Sequence, residues 1–150
     1  MRLLNTNDIE MWSNSIDCQY NLPHLIRKLI LATTEQSKIK GIEFPYGEDV
    51  QVGGYDGELI TEVGNVFVPD GESVWEFGTT NKKGGKANDD YDKRKKDSLG
   101  KKPSQTTYVN VSAKKYRDKK KWVKEKKREN FWRDVRYYDA IDIEQWLELS

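Results

Sequence analysis

The chain has 150 residues, of which 35% are hydrophobic and 34% charged, with five Trp, eight Tyr and four Phe. That length predicts one domain, residues 1–150, with a small aromatic-rich core under a charged surface rather than a disordered polymer. No apolar run approaches the ~20 residues needed to span a bilayer, and one cysteine, Cys18, excludes an internal disulfide or a cysteine-based zinc site.

The net charge of +1 conceals a strong asymmetry. Residues 1–81 carry 5 basic and 13 acidic side chains, whereas residues 82–128 carry 19 basic and 6 acidic, a local net of +13. Such a segment is a candidate surface for a polyanion. The competing reading is a solvated, lysine-rich face. The cysteine usage and the absence of a signal-peptide layout point to a reducing cytoplasm.

In chain order, Asn5-Thr6-Asn7-Asp8 offers helix caps, and Ile9, Met11, Trp12 and Ile16 follow, predicting a first helix over about 8–18. Asn21-Leu22-Pro23 then opens a second helix, with Leu22, Leu25, Ile26, Leu29 and Ile30 at helical spacing. A first strand is predicted over 39–44. Residues 56–61 and 66–68 flank Gly64-Asn65 and read as a hairpin. Pro69-Asp70-Gly71 is a turn, and 73–77 is a strong strand.

A basic loop with glycine (81–85) leads into a polar helix over about 86–97. Thr-Thr-Tyr-Val-Asn-Val at 106–111 predicts a buried central strand. A very basic helix carrying Trp122 follows at 118–128, then a last strand at 134–138. Asp142 is read as the cap of a final helix bearing Trp146 and Leu147. Helices, a strand meander and then alternating strands and helices give an α/β fold with a mixed sheet between helices.

The chemistry-bearing constellation is Gly53-Gly54-Tyr55-Asp56-Gly57 followed by Ser73-Val74-Trp75-Glu76-Phe77-Gly78. A meander between Asp56 and Glu76 allows their strands to lie side by side. Two carboxylates on adjacent strands suit a hard cation such as Mg²⁺, which activates water and neutralises a phosphate. Strand alternation puts Glu76 on the face opposite Trp75 and Phe77, and an acid in such an apolar strand is unusual unless paired or ligating. The plain alternative is a solvent-facing glutamate on an edge strand. Asp70, in a literal Pro-Asp, lies only six residues before Glu76 in a good turn sequence, so Asp56 is preferred.

These two strings, together with Lys86-Ala87-Asn88-Asp89-Asp90-Tyr91-Asp92-Lys93-Arg94, resemble a divergent, Mrr-like branch of the PD-(D/E)XK, or restriction-endonuclease-like, nucleases. The second half shares the look of that branch at Trp122, Trp132-Arg133-Asp134-Val135-Arg136, Tyr138-Asp139-Ala140 and Trp146-Leu147. The resemblance covers about residues 40–149. It implies a restriction-endonuclease-like core and a metal-dependent DNA endonuclease of antiphage defence. Mg²⁺, with Mn²⁺ as a substitute, would be held by Asp56 and Glu76. That branch often forms the N-terminal effector of bacterial STAND NTPases, so a longer chain with a C-terminal NTPase or sensor region is implied, and a homo-oligomer would supply two sites for a double-strand break.

One position departs from the pattern. The signature places lysine two residues after the acid, where this chain has Gly78. That lysine holds the attacking water and offsets charge in the transition state. Lys86, opening the next helix, is the candidate replacement, with Lys82, Lys83 and Lys93 as alternatives. Positions 86, 90, 93 and 97 share a helix face, so Lys86, Asp90 and Lys93 are expected along one groove. Glu10 is a further candidate acid; Glu43, Glu48, Asp49 and Glu58 are nearby acids, of which Glu48 and Asp49 read as loop solvation.

Lys93, Arg94, Lys114, Lys115, Arg117, Lys120, Lys121 and Lys124 are expected to contact the phosphates of DNA, double-stranded by preference, without reading sequence. Trp122 is expected in the core, His24 in a structural role, and no His–Ser or His–Cys pairing suggests a covalent nucleophile. Two other readings stay open: an inactive nuclease-like module that binds DNA or protein, and a small basic RNA-binding protein.

Overall fold

The computed structural model describes residues 5–45, 53–78 and 83–150, with the side chains at 19, 20, 83 and 84 excepted. Its elements are helices α1 (Thr6–Trp12) and α2 (Ile16–Thr33), strands β1 (Ile39–Glu43), β2 (Gly57–Thr61) and β3 (Gly71–Gly78), helix α3 (Lys83–Lys96), strand β4 (Thr106–Ser112), helix α4 (Lys119–Arg128), strand β5 (Asp134–Tyr138) and helix α5 (Ala140–Leu149). The five strands form one mixed sheet in the order β1-β2-β3-β4-β5. The first three make an antiparallel meander, and β3, β4 and β5 run parallel. The protein is therefore α/β, a mixed sheet flanked by helices. Among the described residues no helix is long and apolar enough to cross a membrane.

Period-two alternation in β3 and β4 divides the core. Trp75, Phe77, Val109 and Val111 face a cluster built with α2 and α5, including Leu22, Ile26, Ile30, Ile143 and Trp146. Val74 and Tyr108 face a second, more aromatic cluster with Ala87 and Tyr91 of α3, Trp122 of α4, and Trp132, Val135 and Tyr137. Trp146 is fully buried, stacks on Phe67 at 5.3 Å and donates its indole N–H to Thr33 Oγ1 at 3.0 Å. Burying one such side chain contributes roughly 1.5–3 kcal/mol. Trp122 lies in the core as expected, and its indole N–H donates to Asn88 Oδ1 at 2.8 Å.

Several boundaries differ from the sequence expectation. The junction of the first two helices lies earlier than expected: α1 ends at Trp12 and Ser15 caps α2, its hydroxyl accepting from Cys18 N at 3.1 Å, so α2 starts well before Asn21. Pro23 consequently lies inside α2 rather than at its first turn. A mid-helix proline forgoes a backbone hydrogen bond and costs about 3 kcal/mol, which the burial of its ring and of Leu22, Ile26 and Ile30 offsets.

No strand forms over 66–68. Asn65 instead organises a compact loop, its Oδ1 accepting from Phe67 N and Val68 N at 2.8 and 3.1 Å and its Nδ2 donating to the Thr33 carbonyl at 3.1 Å. β2 is followed directly by β3 as its antiparallel neighbour, with β1 on its other side. At α5 the cap is Asp139, one turn earlier than expected, and Asp142 completes a capping box with it.

Candidate functional site

β2 and β3 pair in the register Gly57↔Trp75, so the next antiparallel position places Asp56 beside Glu76. Both then project from the face opposite Trp75, the face that α3 and α4 cover. Asp56 is held by backbone: its Oδ2 accepts from Phe77 N at 2.8 Å. Glu76 is 3% exposed. The Asp56 and Glu76 carboxyl groups interact electrostatically. Burial, and then the Asp56 charge, push the Glu76 carboxyl up to about 8, against the opposing pull of Arg94. A buried acid beside a half-buried one favours a cation at the pair.

Arg94 corrects the expectation that it would contact DNA. It is 5% exposed, and its Nε donates to Glu76 Oε1 at 2.8 Å. One guanidinium nitrogen, Nη2, donates to the Gly54 carbonyl at 2.9 Å, and the group lies 4.8 Å from the centre of the Tyr55 ring. The reason is helical phase. Ala87, Tyr91 and Arg94 recur at spacings of four and three, so the stripe that packs on the sheet carries Arg94 inward. Tyr55 is itself fixed by its hydroxyl, which donates to the Ser98 carbonyl at 2.9 Å.

Lys86 lies on the neighbouring stripe of α3. Its Nζ meets Asp90 Oδ2 at 2.6 Å, as the shared face of 86 and 90 implied, while Lys93 is exposed. A Cβ placed on Gly78 would sit 3.9 Å from Lys86 Cγ and Cδ. The alkyl chain of Lys86 thus passes over the position where the family pattern has its lysine.

Asn110 was not singled out from sequence. It stands opposite Glu76 on β4, is 2% exposed, and its Oδ1 finds no hydrogen-bond partner among the described residues. Alternation with Val109 and Val111 was the available signal.

Asp70 is remote from this pair, at the opposite end of β3, where its Oδ1 accepts from Gly64 N at 2.6 Å as a loop residue. Glu10 accepts from Lys115 N at 2.8 Å, and Glu58 is bridged to Lys101 at 2.6 Å. Glu43 is exposed on β1. Glu48, Asp49 and Lys82, and the Lys83 side chain, lie outside the described residues.

No group of three or more His, Cys, Asp or Glu gathered for a metal occurs among the described residues. The donor set at the pair is nonetheless all oxygen: two carboxylates, with the partnerless Asn110 amide oxygen on the adjacent strand. That chemistry fits a hard divalent cation which keeps several of its waters.

The basic surface is partly as expected. Lys115, Arg117, Lys120, Lys121 and Lys124 are exposed. Lys120 and Lys124, with Lys127, Arg128, Val123 and Tyr137, line a surface cleft of about 520 Å³. Lys114 is a correction: it is 6% exposed, and its Nζ donates to Ser13 Oγ at 3.0 Å and Asn14 Oδ1 at 2.5 Å. It ties the end of β4 to the α1–α2 junction instead of meeting a ligand. Lys114 lies past the end of β4, in a bend after the buried Ala113, and turns to the α1–α2 junction.

His24 is half-buried on α2, beside Ile9, Trp12 and Leu25. Comparison with protein-family models, curated proteins and solved structures found no match to this chain.

Proposed function

We propose that this protein is a metal-dependent DNA endonuclease with a restriction-endonuclease-like core, acting in the cytoplasm as an antiphage effector. The observation that carries the reading is the Asp56–Glu76 pair, two carboxyl groups side by side on adjacent strands. Asp56 and Glu76 would hold Mg²⁺, or Mn²⁺ in its place. Such an ion, when bound, offsets charge on a scissile phosphate and lowers the pKa of water near it.

The chain's own residues account for the remaining roles. Phe77 N–H fixes the Asp56 carboxylate, leaving its other oxygen available. Lys86, whose stem lies against Gly78, brings an ammonium to the end of β3; exchanging Asp90 for a phosphate oxygen would place that charge on the substrate. Lys93, Lys120, Lys121 and Lys124 are exposed on α3 and α4, the helices on the same face of the sheet as Glu76, and would hold the duplex by its phosphates. Two copies acting together would cut both strands. A C-terminal NTPase or sensor region in a longer chain is the source of control that fits this reading.

A second reading is favoured by one feature. Arg94 already donates to Glu76 from within, and Gly78 lacks the signature lysine. A nuclease-like module that binds DNA or protein without cutting would show these same traits. Thermal melting separates the two: Mg²⁺ raises the Tm of the wild type and not of Asp56→Ala if the pair binds metal, whereas a melting curve indifferent to Mg²⁺ and Mn²⁺ favours the binding module.

A further inference from the structure

We propose that Arg94 is the positioning residue of the acid pair: it clamps Glu76 and the chain entering Asp56 to one guanidinium, and so sets the separation at which the two carboxylates can share a divalent cation. This role rests on the metal-binding reading above.

Asp56 and Glu76 come from different strands, and no described side chain other than Arg94 donates to both Glu76 and the segment that delivers Asp56. The guanidinium makes both contacts at once, Nε to Glu76 Oε1 at 2.8 Å and Nη2 to the Gly54 carbonyl at 2.9 Å. Gly54 is two residues before Asp56. Between them Tyr55 places its ring 4.8 Å from the guanidinium carbon, so the cation is held from below as well. The planar fork is what makes this possible: two donors at fixed separation, which an ammonium cannot reproduce.

The clamp also divides the work of Glu76. Nε engages Oε1 and leaves Oε2 outside that contact. On the other side, Phe77 N–H engages one oxygen of Asp56. Each acid is therefore pinned through one oxygen by the protein, and one oxygen of each remains for a ligand. Because Arg94 is almost wholly buried and held at three points, it is a fixed part of the site and not a placeholder that a cation must expel.

Arg94→Lys tests this, because it keeps the positive charge beside Glu76 while removing the fork. Mn²⁺ affinity of the whole chain would be measured by calorimetry, beside wild type and Asp56→Ala, at a temperature where circular dichroism shows each protein folded. The melting temperature of each in EDTA is recorded separately. Loss of an outer partner to a metal ligand lowers affinity about 10- to 100-fold, and a loss of that size is expected for Arg94→Lys. A variant that melts earlier but binds Mn²⁺ as tightly as wild type would show Arg94 to be a structural pin only, and overturns the proposal. Should Arg94→Lys not fold, Tyr55→Leu decides: it removes the ring under the guanidinium without altering a charge, and unchanged Mn²⁺ affinity in that variant overturns the proposal equally. Wild type that takes up no Mn²⁺ refutes the metal reading itself, and this role with it.

Discussion

Glu76→Gln separates the two states of the buried acid. Glutamine has the shape of a protonated glutamic acid and cannot ionise. In the folded protein, burial and the neighbouring Asp56 push the Glu76 carboxyl from 4.5 up to about 8. A folded-state pKa raised above the unfolded one gives stability that is fully present below about 4.5 and is lost as pH rises to about 8. Across that window each pH unit removes at most about 1.4 kcal/mol, and the whole span at most about 5 kcal/mol. In acid, wild type and Glu76→Gln present the same partner to Arg94 and should be nearly equal in stability. Toward pH 8 the wild type alone carries the cost of a buried carboxylate beside Asp56, so Glu76→Gln should become the more stable by several kcal/mol. Urea denaturation in EDTA between about pH 5 and pH 8 measures this directly. The reasoning is refuted if Glu76→Gln is less stable than wild type throughout. That result would mean an ionised Glu76–Arg94 pair whose attraction outweighs its desolvation.

Lys86→Ala should lose most DNA cleavage while retaining DNA affinity. Because a side chain at position 78 meets only the flexible stem of Lys86, adding Gly78→Lys to Lys86→Ala should restore cutting in a plasmid assay. Wild-type cutting by Lys86→Ala would instead move the role to Lys82, Lys83 or Lys93. Joint replacement of Lys120 and Lys124 by Ala should weaken DNA binding at every sequence and lower the slope of log affinity against log salt by about 2. Lys114→Ala should behave in the opposite way, leaving that slope alone but lowering stability by roughly 1–3 kcal/mol, since it takes a donor from the buried Ser13 hydroxyl. A slope that falls with Lys114→Ala would put that lysine back on the binding face.

The acid pair was legible because two simple patterns coincide. A meander returns β3 beside β2, and alternation turns Glu76 away from Trp75 and Phe77. Strand β5 and most of β4 were legible as well, from dense aromatic and β-branched runs. Arg94 was not, because a charge within Lys93-Arg94-Lys95-Lys96 reads as solvated surface until its phase against Ala87 and Tyr91 is counted. Lys114 misled because it opens the basic run Lys114, Lys115 and Arg117, of which it alone is buried. The hairpin expected at Gly64-Asn65 failed because Asn65 bonds across to α2, a tertiary contact that no local turn rule contains. Pro23 failed for a similar cause, since the Ser15 cap and the apolar stripe outweigh one broken backbone bond.

The central claim is that Asp56 and Glu76 bind a metal used to cut DNA. Its most direct test is plasmid cleavage with Mg²⁺, comparing wild type with Asp56→Ala at protein concentrations adjusted to equal DNA occupancy. The account predicts nicked or linear product that depends on Mg²⁺, disappears in EDTA and is absent from Asp56→Ala. Equal cutting by Asp56→Ala, or intact plasmid from wild type with either Mg²⁺ or Mn²⁺ at full occupancy, would contradict it.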